Sequence, residues 1–243
     1  MRCMKFIGYI PFGYPNIEKS IEIVETYVAA GCKALEISFP TYDPVDESEM
    51  ITEYMRKALS NCNDYEKYMT GIQCVRDKHP NLEINLLMFV DSIDQIGLEK
   101  LCSFYTKNRI ACIICPDIDT NKELKAYLVG NGIKFSSPVH YDFTEAEIKN
   151  CLNNDGFVYV QAFPTKGQKV IEGYDTPDKI ISYLKRVGVK QPIYAGVGIK
   201  TVEDVQLIKA AGADGFFVGG TLMRIMEDDS LQLAIKQFID AGK

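Results

Sequence analysis

The sequence predicts an α/β barrel of eight strand–helix units, and three observations lead there. At 243 residues the chain has the length of a one-domain barrel of this kind, roughly 250 residues. Short apolar runs alternate with amphipathic stretches from end to end, the rhythm of a parallel sheet covered by helices. Two late runs, Ala195-Gly196-Val197-Gly198-Ile199 and Val218-Gly219-Gly220-Thr221, end in glycine before a helical stretch. In such a barrel these are the ends of strands seven and eight, where a phosphate site is commonly built. No linker or low-complexity block interrupts the chain, so one domain over residues 1–243 is expected.

The predicted strands run over Lys5–Ile10, Ala34–Phe39, Glu83–Val90, Ala111–Cys115, Lys134–Ser137, Phe157–Ala162, Pro192–Ala195 and Gly215–Val218. Helical periodicity is clear over Ile17–Ala30, Ile93–Lys107, Asp178–Val187 and Val202–Ala211, with apolar residues three and four apart. Thr176 and Thr201 are placed to cap the last two of these. Gly31, Gly130, Gly132, Gly188 and Gly212 fall near helix ends, where a left-handed glycine stops a helix with little strain. The longest irregular stretches, residues 40–49 and 163–173, both follow strands and so belong to the face where barrel sites form.

Composition narrows the function. Hydrophobic residues make up 47% of the chain, ordinary for a globular protein with a sizeable core. A net charge of −6 argues against a nucleic-acid or anionic-membrane surface. No apolar run approaches the ~20 residues of a membrane span. The N-terminus passes straight into an apolar strand without a secretion-signal core. A cytoplasmic enzyme is expected. The eight cysteines are scattered through helix-like and strand-like segments, so reduced packing thiols are expected. Cys112-x-x-Cys115 lies in a strand pattern and lacks the second ligand pair a zinc site needs.

Glycine at Gly198, Gly219 and Gly220 lets the backbone approach an anion closely, and a following helix adds its positive end. The sequence therefore points to a phosphorylated small molecule. Glu36 is an acid inside an otherwise apolar strand, Ala34-Leu-Glu-Ile-Ser-Phe-Pro40. Strand alternation places it with Ala34 and Ser38, facing the barrel axis. A buried carboxylate must raise its pKa or find a partner. It is therefore either a general acid/base or half of an ion pair with a Lys or Arg from another strand. Asp43, Asp46, Glu47 and Glu49 follow in one loop, where one acid can complete an acid/base pair and Asp46 or Ser48 can open a helix near residue 49. Thr165, Lys166 and Gly167 end strand six and can reach a phosphate or form a lid. His79 reads as a surface residue ending a helix. His140 follows strand five and can face the pocket.

These motifs resemble the α subunit of tryptophan synthase, the indole-3-glycerol-phosphate lyase, over about Ile7 to Ile225. The most specific match is Ala34-Leu-Glu-Ile-Ser-Phe-Pro-Thr-Tyr-Asp-Pro44, similar to the family's A-L-E-[LI]-G-x-P-[FY]-S-D-P. Ile10–Pro15 resembles its [TA]-x-G-[DY]-P turn, and Ala195–Val205 and Ala211–Ile225 resemble its two glycine loops. The resemblance implies a single-domain (β/α)8 TIM barrel and retro-aldol cleavage to indole and glyceraldehyde 3-phosphate, without a cofactor of its own. It implies Glu36 as the proton-shuttling acid and Glu47, with Asp46 beside it, as the second carboxylate. It further implies phosphate contacts at Gly167, Gly198, Gly219 and Gly220 and pocket aromatics at Tyr9 and Tyr159. A pyridoxal-phosphate β subunit is the implied partner, with Asp43 and Pro44 as its contact.

Four positions depart from the family pattern. Ser38 replaces a glycine, the loop acids read Asp46-Glu47-Ser48-Glu49, loop six reads Phe163-Pro-Thr-Lys-Gly-Gln168, and Gly220 replaces a serine. They leave open a different phosphorylated substrate on the same barrel, handled by a lyase or isomerase. A non-catalytic ligand-binding regulator of a β subunit also remains.

Overall fold

The computed structural model describes residues 3–243. Eight parallel strands form one sheet: β1 (Lys5–Pro11), β2 (Ala34–Ser38), β3 (Glu83–Leu87), β4 (Cys112–Ile114), β5 (Ser137–Val139), β6 (Val158–Gln161), β7 (Ile193–Gly196) and β8 (Gly215–Val218). Their order is β4-β3-β2-β1-β8-β7-β6-β5, and a bridge between Ile113 and Phe135 brings the two open edges together. The sheet is thus a nearly closed barrel.

Between the strands run α1 (Ile17–Ala29), α2 (Glu49–Asn61), α3 (Tyr65–Lys78), α4 (Val90–Ile96), α5 (Leu98–Lys107), α6 (Lys122–Gly130), α7 (Glu145–Asn153), α8 (Pro177–Val187) and α9 (Val202–Ala210). A one-turn helix, α10 (Gly220–Met223), and α11 (Leu231–Gly242) follow β8. None of these helices is long and apolar enough to cross a membrane.

Alternation sorts the side chains into two cores. Ile7, Ala34, Cys112, Phe157, Tyr194 and Phe217 pack inside the barrel, while the larger cluster, including Leu35, Ile37, Ile84 and Val160, lies between strands and helices. Lys5 Nζ and Glu83 Oε2, 2.6 Å apart, form an ion pair between β1 and β3 near their N-terminal ends. The eight cysteines are free. Cys112 belongs to the inner core and Cys115 to the outer one, so the strand separates the pair by facing them oppositely.

Several expectations need correction. The helix expected over residues 93–107 begins at Val90, shortening β3, and breaks at Gly97, whose φ of 88° no helix accommodates. The fifth strand forms at Ser137–Val139 rather than over 134–137, because only there does it pair with β6. Gly31, Gly132, Gly188 and Gly212 take positive φ, but Gly130 stays within α6. Thr201 caps α9, its Oγ1 accepting from the Asp204 amide, whereas Thr176 makes no side-chain cap. His79 ends α3 but is half-buried, its Nε2 2.9 Å from Glu25 Oε2.

Candidate active site

Glu36 sits in the middle of β2, in register with Tyr9 on β1 and Asn85 on β3. It is only 6% exposed and faces a cavity of about 310 Å³ at the C-terminal end of the barrel. It has no cationic partner among the described residues, and burial followed by the charge of Glu47 pushes its carboxyl well above the usual range. The ion pair that would make a strand acid purely structural belongs to Glu83 instead.

The loop after β2 carries the second acid. Thr41 Oγ1 donates a short hydrogen bond to Asp91, the Tyr65 hydroxyl donates to the Pro40 carbonyl at 2.8 Å, and Arg56 Nε donates to the Tyr42 carbonyl at 2.8 Å. Asp46 then reverses the chain at φ 60°, a conformation aspartate tolerates better than most residues. Ser48 caps α2, its Oγ accepting from the Ile51 amide. Between these two, Glu47 turns back into the cavity. Burial lifts its carboxyl to about 7 against the opposing pull of the Ser48 amide. Asp46 also lines the cavity but stays exposed at its rim.

The opposite wall comes from the loops after β7 and β8. Val197, Gly198, Ile199 and Lys200 line the cavity from the first, and Gly219, Gly220, Thr221 and Arg224 from the second. Gly198 has φ 95°, and its neighbour Val197 is held at φ 59°, a strained position for a β-branched side chain. Tyr9, Tyr159 and Phe217 close the floor, with the Tyr159 and Phe217 rings 4.6 Å apart. A Cβ on Gly196 would lie 2.1 Å from the Tyr159 hydroxyl, so glycine there makes room for this ring. Ser38 joins the same face. Its Oγ accepts from the Tyr9 hydroxyl at 3.1 Å. The Asn85 side-chain oxygen is buried without a hydrogen-bond partner among the described residues.

One cavity thus gathers Tyr9, Glu36, Asp46, Glu47, Tyr159, Gly198, Gly219 and Gly220. A family model for the tryptophan synthase alpha chain matches residues 2–240. The chain belongs to the tryptophan synthase alpha chain family. A family member from Methanosarcina mazei is 29% identical over 226 residues, covering 91% of this chain and 81% of the relative. One from Caldicellulosiruptor bescii is 27% identical, covering 98% and 92%. Among solved structures, the aminoacrylate-bound tryptophan synthase of Mycobacterium tuberculosis superposes with a TM-score of 0.84 at 18% identity, covering 99% of this chain and 94% of that one. At that identity the likeness speaks for the fold.

Within this alpha-chain barrel, Gly167 and His140 lie outside the cavity, as do Asp43 and Pro44, the implied partner contact. Gly167 is exposed in loop six, because Gln168 folds that loop onto the end of β6. Gln168 Oε1 accepts from Gln161 Nε2 at 2.8 Å and from the Thr165 amide at 3.0 Å. Asp43 and Pro44 lie on the outer side of loop two. Asp43 pairs with Arg56 at 3.1 Å, beside exposed Tyr42 and Val45. His140 does not line the cavity, and its Nδ1 lies 2.8 Å from Glu147. Sequence reasoning missed Met50, Phe217, Lys200 and Arg224. Phe217 was findable by strand alternation from Gly215 and Gly219, whereas Met50 and Arg224 approach only because their helices cross the barrel mouth.

Proposed function

We propose that the protein is a cytoplasmic, single-domain lyase that cleaves indole-3-glycerol phosphate to indole and glyceraldehyde 3-phosphate, alongside a β subunit. The observation that carries this reading is Glu36, a buried carboxyl without a counter-cation, in the same cavity as the glycine loops after β7 and β8. Its raised pKa favours the protonated form that a general acid needs.

In this reading protonated Glu36 delivers its proton to the indole ring carbon that bears the glycerol chain. Ionised Glu47 accepts a hydrogen bond from the indole N–H and steadies the positive charge on the ring. The Glu36 carboxylate then takes the proton of the adjacent glycerol hydroxyl. The carbon–carbon bond breaks, its electrons return to the ring, and the hydroxyl carbon becomes the aldehyde. Glu36 ends protonated as it began. Tyr159 and Phe217 offer the ring an apolar floor, and backbone amides at Gly198, Gly219 and Gly220 receive the phosphate. The exposed side chains of Tyr42, Asp43 and Val45, with half-buried Pro44 between them, support contact with the β subunit.

The test is indole release from indole-3-glycerol phosphate, with and without a β subunit. The wild type is expected to release indole and Glu36→Gln to lose about 10²–10⁴-fold in kcat. No release under either condition, with glycerol phosphate still bound, overturns the proposal.

A further inference from the structure

The cavity is electrically divided. Glu36, Asp46 and Glu47 line one side, and Lys200 and Arg224 are the cationic side chains lining it among the described residues. Both cations sit on the glycine loops. Lys200 follows Gly198 by two residues, and Arg224, in helical conformation at the end of α10, lies one turn beyond Gly220. Thr221 Oγ1, 3.5 Å from the Lys200 carbonyl, ties the two loops together. Neither cation makes a hydrogen bond or ion pair through its side chain among the described residues, although Glu227 and Asp228 follow Arg224 closely in sequence.

The backbone of this wall is also partly spent. The Lys200 and Thr201 amides both donate to Asp204 Oδ2, at 2.8 and 2.9 Å, within the cap of α9. They are not available to an anion. A phosphate dianion entering a cavity lined by Asp46 and Glu47, in a chain of net charge −6, meets an unfavourable field. Positive side chains at the phosphate end reverse that field locally, and charge-assisted hydrogen bonds from them are the strong kind.

We propose that Lys200 and Arg224 clamp the phosphate of the substrate from two adjacent loops, adding side-chain charge to the backbone cradle. The ligand class is a small phosphomonoester dianion. The proposal rests on the lyase reading only for the rest of the substrate, since the clamp needs the phosphate alone.

Calorimetric titration of the full chain with glycerol 3-phosphate, at low and high salt, tests it. Arg224→Gln is expected to weaken binding about tenfold and Lys200→Gln about fivefold. The double variant is expected to lose most of the salt dependence of the wild type. Arg224→Lys should recover part of the loss, which a merely structural role would not show. Thermal melts check that each variant is folded. If folded variants bind as tightly as wild type with the same salt dependence, the clamp is overturned, and indole release by the wild type would leave the lyase reading standing. If the variants lose glycerol phosphate but the wild type releases no indole, the clamp stands and the lyase reading falls.

Discussion

Glu47 and Glu36 line one cavity, and the charge of Glu47 adds to burial in raising the Glu36 carboxyl well above the usual carboxylate range. Glu47 itself sits at about 7. The strand holds one acid at depth, and the loop brings the other to the mouth. In the proposed reading environment separates their roles, the deep group as proton donor and the outer one as the carboxylate.

On this basis kcat/KM for indole release should rise as pH increases through about 7, where Glu47 ionises. Glu47→Gln is expected to remove that limb and lower kcat/KM about 10²-fold at pH 8. A pH profile of both proteins checks it, and a limb unchanged in the variant would assign it to another group.

The same group makes stability depend on pH. Glu47 is raised from 4.5 to about 7 on folding. Between those values the folded chain holds a proton that the unfolded chain has lost, so stability falls as pH rises through this window. The full shift corresponds to about 3 kcal/mol, reduced to about 2 kcal/mol by partial exposure at the mouth. Burial of Glu36 acts in the same direction. Urea titrations from pH 5 to 8 should show this decline in wild type and a flatter one in Glu47→Gln.

Val197, at φ 59°, is half exposed beside the cavity. Val197→Gly should raise stability by about 1 kcal/mol, because the left-handed region penalises a β-branched residue more than glycine's extra chain entropy costs. A higher Tm together with a changed KM would identify the strain as one held for binding. An unchanged or lower Tm would show that the loop is relaxed.

Gly196→Ala drives a methyl into the Tyr159 hydroxyl at 2.1 Å. The ring lies between Phe157 and Phe217 and has little room to yield. A loss of about 1–3 kcal/mol is expected, with KM raised as the floor of the cavity shifts. Denaturation and steady-state kinetics on one preparation read both effects.

Arg76 is a buried cation without a carboxylate partner among the described residues. Its Nε donates to the Asn108 carbonyl at 2.7 Å and its Nη1 to the Leu82 carbonyl at 2.6 Å. It thereby joins α3 to the turns that lead into β3 and β4. Arg76→Met leaves those carbonyls buried and unpaired, and about 2–4 kcal/mol should be lost in urea denaturation.

Local chemistry was written plainly in the chain. Alternation in Ala34–Ser38 turned Glu36 inward, glycine marked the ends of β7 and β8, and Thr201 and Ser48 announced their helices. These signals act over a few residues, so spacing alone reveals them. Tertiary structure decided the rest. Whether Glu36 or Glu83 would take the lysine depended on which residue of β1 stood opposite. Gly167 left the cavity because Gln161 and Gln168 pair across loop six. Arg224 reached the cavity because a one-turn helix carried it there. Such outcomes arise from contacts between residues far apart in sequence, whose distances are set only once the barrel closes.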